Sequence, residues 1–405
     1  MRKFHVLPAA VAAAFSLGAQ AQGSDAVFRI GILNDQSGVY SYVTGRGAVE
    51  AARLAVEDRG GKVLGRRIEV MFADDQNKPD VAAVVARRWI DVDKVDLLVA
   101  GGGSATTIAV MNVAKEKNKT LLVAGAGSSD ITGKLCAPNV THWVFDTYGL
   151  AASVGKAVEA DGGKSWCFIT ADYSFGQALE RDTTKFIEAG GGKVLGSVRH
   201  PLNASDFSSF LLQAQASKAQ VIGLANAGGD LVNAVKQADE FGLTRNQRLA
   251  GLLLYVNDVQ AIGLKTARGT MGVASFYHDQ NDATRAWTQR YQARFPGTNI
   301  PNMTHAGAYA AVNHYLKAVE AAGTDDTAAV GRKMREMPVN DMYNKNVRIR
   351  TDGRVLHDMM LWQAKSPEQS KGPFDLLQIR QTVPGDQAFR PETEGGCPLV
   401  AGAAK

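Results

Sequence analysis

The chain has 405 residues, 45% hydrophobic and 21% charged, a balance that excludes a disordered or collagen-like chain and supplies material for two domains or more. Lys and Arg number 45 against 40 Asp and Glu, and the cations are scattered, so the formal charge of +5 does not describe a nucleic-acid-binding surface. Three cysteines cannot form a disulfide scaffold, while 42 glycines and 7% aromatic residues suit many small elements joined by short turns.

Met1-Arg2-Lys3 precedes a mostly apolar stretch from Val6 to about Ala19, followed by Ala19-Gln20-Ala21. A basic start, an apolar run too short to span a bilayer and an A-x-A site describe a secretory signal peptide, residues 1–21, cleaved after Ala21. Loss of Arg2 and Lys3 takes two positive charges from +5 and leaves +3. No cysteine follows the site, so no lipid anchor is expected. No later segment reaches ~18–20 uninterrupted apolar residues, so stable membrane insertion is not expected of the exported chain.

Residues 28–33 are a short apolar run ending in the turn-like Asn34-Asp-Gln-Ser-Gly38, which reads as a buried strand. Residues 45–59 follow with Ala48, Ala51, Ala52, Ala55 and Val56 at helical spacing. The alternation continues with strand 68–73, helix 81–90, strand 95–100, helix 106–117 and strand 120–126. A βαβ series of this kind closes as a parallel sheet covered by helices. The pattern then restarts: strand 165–171, helix 174–189, strand 194–198, helix 207–216, strand 221–225, helix 231–241 and strand 249–254. Two such units predict an α/β protein of two Rossmann-like lobes. Strands at 271–277, 347–350, 355–363 and 374–381, with helices at 284–294, 304–322 and 327–336, are too few for a third domain and are assigned back to the two lobes. The expected division is 22–148 plus 278–350 for lobe 1, 149–277 plus 351–383 for lobe 2, and 384–405 as a C-terminal tail. The chain then crosses about three times between lobes, which makes a hinge, and the strand ends facing each other make a cleft.

Catalytic and cofactor motifs fail on inspection. A phosphate loop needs a glycine five residues before Gly163-Lys164-Ser165, where Val158 stands. Gly45-Arg-Gly47 opens a helix after a strand, but Glu50 holds the third glycine position of a dinucleotide fingerprint and would repel a pyrophosphate. There is no G-x-S-x-G elbow. His305 and His314 are nine apart, and Asp91, Asp93 and Asp96 lie beside Lys94 at a helix end, so neither group has a metal-ligand spacing. Neither cofactor nor metal is expected, and no catalytic residue is assigned.

Five stretches carry a family likeness: Ile30-Gly-Ile-Leu33 with Ser37-Gly38, Asp74-Asp75 with Pro79-Asp80-Val-Ala-Ala, Gly103-Ser-Ala-Thr106, Asp172-Tyr-Ser-Phe-Gly176 and Asp206-Phe-Ser-Ser209. In this order, and with an export signal, the chain resembles the type I periplasmic solute-binding proteins that feed ABC importers, in the leucine/isoleucine/valine-binding protein family. The resemblance implies the type I periplasmic binding protein fold, with two α/β lobes, a hinge of three crossovers and a small molecule clamped between the lobes. It also implies a monomeric, non-enzymatic receptor in the periplasm that presents its closed form to a membrane permease. Two rivals are a secreted hydrolase or amidase, for which no serine with a matched base is visible, and a ligand sensor of the same fold, against which the export signal counts.

Gly101-Gly-Gly-Ser104 falls where a strand hands over to a helix. Glycines let a ligand approach the backbone, and Ser104 is suited to cap a helix whose free N–H groups favour an anion. The resemblance favours ligand binding over mere capping here, because the family holds its ligand's carboxylate with this loop, Gly103, Ser104 and Ala105. Gly125-Ala-Gly-Ser128 follows the next strand, with Ala126 and Ser128 as candidates or as a plain turn. On the second lobe Tyr173 and Phe175 either stack on a ligand or pack in the core. Asn226 and Asp230 either touch ligand or cap a helix, and Leu254 closes the strand end Leu253-Leu-Tyr255. Tyr40, Tyr42 and Tyr277 complete the candidate wall.

Amino-acid-binding members hold the ligand's ammonium with an acid in the segment matching Gly251-Leu-Leu-Leu254, which here is wholly apolar. The expected ligand is therefore a carboxylate without an α-ammonium group, an aromatic acid by preference. The alternative is a branched-chain or other amino acid, if Asp172 or Asp230 substitutes. Cys167 lies in the apolar strand Trp166-Cys-Phe-Ile169, whereas Cys136 and Cys397 sit in loop-like Cys-Ala-Pro and Gly-Gly-Cys-Pro contexts, so the latter two are expected to pair in the oxidising compartment.

Overall fold

In the computed structural model, which describes residues 27–155, 162–297 and 300–400, the first apolar run becomes β1 (Phe28–Asn34), the strand around which the N-terminal sheet grows. The expected leader and its cleavage site lie outside the described residues. β3 (Arg66–Asp74) and β4 (Leu97–Ala100) pair parallel on the two sides of β1. β5 (Thr120–Val123) and β6 (Val140–His142) follow beyond β4, and the short β2 (Lys62–Val63) closes the other edge, giving the order β2-β3-β1-β4-β5-β6. The inner strands are apolar throughout because both faces are covered: Ile30, Ile32, Leu97, Val99 and Leu122 enter one core, while Leu33, Leu98, Ala100, Leu121 and Val123 enter the other. Helices Gly45–Asp58 and Met303–Ala322 pack together in the first core, and Pro79–Asp91 and Ser104–Glu116 in the second.

The second lobe repeats the principle with β7 (Ser165–Ala171), β8 (Lys193–His200), β9 (Val221–Ala225) and β10 (Arg248–Gly251), all parallel in the order β10-β9-β7-β8. The remaining strands depart from expectation. β11 (Met271–Ala274), β12 (Met359–Ala364) and β13 (Leu377–Val383) form their own antiparallel sheet rather than extending a parallel one. No helix joins β12 to β13, and without such a crossover only antiparallel pairing is open to consecutive strands. Residues 347–350 make isolated bridges, Val339 with Val347 and Ile349 with Val355, while Arg354 pairs with His142 at the edge of β6.

The chain leaves the first sheet after β6, leaves β11 after Ala274 for the helix Met303–Ala322 of the first core, and enters β12 at Met359 just after Val355 N bonds the His142 carbonyl. Arg354, fully buried, holds the first of these passages: its guanidinium meets Asp146 at 3.3 Å, the His142 carbonyl at 2.6 Å and the Val144 carbonyl. After β13 the tail crosses back over the hinge. Cys397 is bonded to Cys136, just ahead of β6, and Cys167 is a buried thiol.

Candidate ligand-binding cleft

The loops after β4 and β5 run side by side at the carboxyl ends of their strands, joined by an Ala124 N–H to the Ala100 carbonyl at 2.8 Å. Ser104 is the first residue of its helix rather than its cap, which is Gly103 and makes no side-chain bond. The Ser104 hydroxyl turns instead to the neighbouring loop, accepting the N–H groups of Gly127 at 3.3 Å and Ser128 at 3.0 Å. A hydroxyl oxygen that accepts twice still has its own proton to donate. Beside it the first amides of the helix have no helical acceptor, so hydroxyl and amides together form a site for a negative oxygen. Ser128 itself caps the short turn Ser129–Thr132, accepting from Asp130 N at 3.4 Å. His142 fixes Ala126 through its Nε2 and the Ala126 carbonyl, 2.7 Å apart, and burial, with Arg354 nearby, keeps its pKa well below the usual range and the ring neutral.

A cavity of about 260 Å³ opens over these loops. The first lobe lines it with Tyr40, Thr44, the glycine loops, Ser104, Ala126 and Phe145. The second lobe adds Tyr173, Phe175, Ala227, Leu253 and Tyr255. Tyr40 is held by Asp35, whose carboxylate takes the N–H groups of Gly38 at 2.6 Å and Tyr40 at 2.9 Å. Its hydroxyl meets that of Tyr173 at 2.5 Å across the cleft, and burial, then mutual proximity, lifts the Tyr40 phenol well above its ordinary range, so it stays neutral. Phe145 and Tyr255 meet edge to face with centroids 6.0 Å apart, and Tyr173 and Phe175 are tilted at 6.1 Å. Gly127 makes this wall possible: a Cβ there would lie 2.7 Å from the Phe145 ring and 2.9 Å from that of Phe175.

Of the residues named from sequence, the cavity brings together Tyr40, Gly103, Ser104, Ala126, Tyr173 and Phe175. It leaves out Tyr42, Ala105, Ser128, Asn226, Asp230, Leu254 and Tyr277. Tyr42 donates to Asp258 at 2.5 Å. Asn226 pairs with His200 Nε2 at 3.1 Å, and Asp230 accepts Asn203 N at 3.3 Å, burial lifting its carboxyl to about 7. Neither Asn226 nor Asp230 caps the following helix, whose first flanking residue is Ala227. Leu254 fills the space under Gly251, Ala105 sits on the helix away from the cavity, and Tyr277 packs edge-on against His278 at 4.4 Å with its hydroxyl buried. Sequence reasoning assigned no role to Thr44, Phe145 or Ala227. Phe145 is the notable loss, since its only local signal is an apolar run, Trp143-Val-Phe145, that reads as core. Among the described residues no group of His, Cys, Asp and Glu is placed to hold a metal, and no helix is long and apolar enough to cross a membrane.

The sequence profile of the periplasmic binding protein family matches residues 27–372. A crystal structure of a periplasmic binding protein from Burkholderia mallei is 49% identical, with a TM-score of 0.90 over 92% of this chain and 99% of that one. A branched chain amino acid ABC transporter periplasmic ligand-binding protein from Burkholderia xenovorans is 36% identical, with a TM-score of 0.80 over the same shares. A Leu/Ile/Val-binding protein homolog from Brucella melitensis is 24% identical over 326 residues, 78% of this chain and 82% of its own. The fold is shared as well by an ABC transporter solute binding protein from R. palustris solved with benzoate, 22% identical with a TM-score of 0.79 over 89% of this chain and 97% of that one. The chain therefore belongs to the periplasmic binding protein family, and is a non-enzymatic, periplasmic solute-binding component of an ABC transporter.

Proposed function

We propose that this protein closes its lobes on one small organic carboxylate, an aromatic acid by preference, and as a monomer delivers it to its permease. The observation that carries the reading is the lining of the cavity: five aromatic rings, Tyr40, Phe145, Tyr173, Phe175 and Tyr255, around the Ser104 hydroxyl, with no acidic side chain among them. The carboxylate accepts hydrogen bonds from the Ser104 hydroxyl and the amides of the helix start, and the ring lies among the aromatic side chains. An amino acid would bring an ammonium group that needs an anionic partner, and burying it unpaired costs several kcal/mol. Asp172 is exposed and engaged by Gln177 at 3.2 Å, and Asp230 lies outside the lining. The benzoate complex of the R. palustris protein supports the capacity of this fold for such a ligand.

The second reading, a branched-chain amino acid, is favoured by what the Burkholderia xenovorans and Brucella relatives are named for. In either case the proposed lobes are 22–148 with 278–350 and 149–277 with 351–383, and the pairing of residues 354 and 355 with β6 supports moving the later boundary a few residues on, to 355. Calorimetry against benzoate, 4-hydroxybenzoate, coumarate, leucine and valine separates the two. Binding of an aromatic acid with no heat from leucine is expected; tight leucine binding with silent aromatic acids reverses the assignment.

A further inference from the structure

Beside the cavity, one short turn of the second lobe gathers several polar links to the first. Tyr255 lines the cavity and leads into the helix Val256–Ile262. Asp258, fully buried, accepts the Tyr255 N–H on Oδ2 at 2.8 Å and the Tyr42 hydroxyl on Oδ1 at 2.5 Å. Between them Asn257 donates to the Ile300 carbonyl at 2.9 Å and accepts from Asn302 at 2.7 Å. Asn302 also donates to the Val43 carbonyl at 3.0 Å, next to Tyr42, so all these links end on one patch of the first lobe. Bonds that span a cleft exist only while it is closed. Their free energy enters the closed-to-open ratio directly, and ligand affinity scales with that ratio.

We propose that the turn Tyr255–Asp258 is the closure latch of this protein, and that Asp258 is a positioning residue which couples the Tyr42 bond across the cleft to the cavity wall at Tyr255. The proposal rests on the reading that the lobes clamp a solute, but not on which solute. It gives Tyr42 a task other than ligand contact.

The latch carries a signature that a merely structural acid lacks. Burial lifts the Asp258 carboxyl to about 7, against the lowering effect of the bonds from Tyr255 N and Tyr42. The groups facing it are the phenols of Tyr42 and Tyr255, with Tyr40 beside them, and burial holds all three above their ordinary range. Opening returns Asp258 to water and to a carboxylate pKa of roughly 3.9. Closing therefore takes up a proton, so the closed state is favoured at low pH and weakens as pH rises from about 4 to 7. Asp230, near Tyr40, is lifted in the same way and adds its own slope, which is why a variant of Asp258 is needed to isolate the latch.

The test uses the full chain without ligand. Spin labels at Val92→Cys and Leu212→Cys, 68% and 62% exposed on opposite lobes, report the distance between lobes by pulsed electron resonance, since Cys167 is buried and the other cysteines are paired. Tyr42→Phe keeps the Tyr255–Asp258 bond and should lower the closed-to-open ratio about tenfold at pH 6 while leaving the melting temperature within a few degrees. Asp258→Asn keeps an acceptor and a donor in place and should flatten the pH dependence between about 4 and 7. A distance distribution unchanged by Tyr42→Phe overturns the latch, as does a pH slope undiminished in Asp258→Asn. Because no ligand is added, a wrong assignment of ligand class leaves this result intact.

Discussion

Ser104 illustrates how much, and how little, a single residue discloses. That a serine follows three glycines at the end of a buried strand is visible in the sequence, and so is its fitness to meet an anion. That its oxygen accepts the Gly127 and Ser128 amides is not, because those residues are more than twenty positions away and only the sheet brings the loops together. Ser104→Ala removes a donor to the ligand and strands two amides, so binding should weaken by about 1–3 kcal/mol. The helix is expected to stay formed, since Gly103 is the residue at its cap. Calorimetry with the wild-type ligand, alongside circular dichroism, checks both halves, and an affinity equal to wild type refutes the contact. The tyrosines teach the opposite lesson. Tyr40 and Tyr42 lie two apart in one loop, yet one reaches the cavity and the other reaches Asp258, a choice made by the opposing lobe.

At the scale of elements, apolar runs and their helical partners were legible because covered parallel strands need no polar face. Their ends were not. The run 249–254 stops as a strand at Gly251, and its last apolar residues become the wall and the turn before Val256–Ile262. The helix Gly228–Glu240 shows the tertiary demand most directly: Gly228 has φ +61°, a Cβ there would lie 2.5 Å from the Val39 carbonyl, and the Gly229 N–H bonds that carbonyl at 3.1 Å across the cleft. In its first turn Asp230 is buried with its carboxyl at about 7, raised by desolvation in spite of the amides of Asn203 and Ala204. A folded pKa above the unfolded one gives stability that is complete below about 4 and lost as pH rises to about 7, at up to roughly 1.4 kcal/mol per pH unit. Asp230→Asn should therefore melt near wild type around pH 4 and above it at pH 8. Melting curves of both proteins across that range test the sign; a constant difference at every pH removes the titration from the account.

For the whole molecule the tail is the feature that ordered elements did not foretell. Gly385 fits against the carbonyls of Leu356 and His357, and Phe389 lies under Arg354, whose guanidinium carbon is 4.3 Å from the ring centroid. Arg350 donates to the Arg390 carbonyl at 2.8 Å, and the bridge to Cys136 then closes a loop of sequence separation 261. The bridge thus ties the far end of the chain, beyond the last crossing, to the first lobe. Cys397→Ser should cost about 2–4 kcal/mol of stability, chiefly by freeing the unfolded chain. Cys136→Ser should cost the same, and the double variant no more, because the two side chains form a single bond. Thermal unfolding of the three variants tests this, and additive losses would show that each cysteine also packs independently.

The sequence by itself determined the α/β alternation, the two-lobe plan, the glycine loop with Ser104, and which cysteine belongs to a strand and which two to loops. Each of these rests on local physics: side-chain periodicity, backbone freedom at glycine, and the burial of a small thiol among apolar neighbours. Only the tertiary structure decided that β11, β12 and β13 make an antiparallel sheet, that Phe145 faces the cavity, and that Tyr42 reaches Asp258. The sheet follows from pairing between strands up to about a hundred residues apart, and the last two outcomes depend on where two lobes stand relative to one another; the contacts that set this, such as Tyr42 with Asp258 and Tyr40 with Tyr173, join residues 216 and 133 positions apart, beyond the reach of any local pattern.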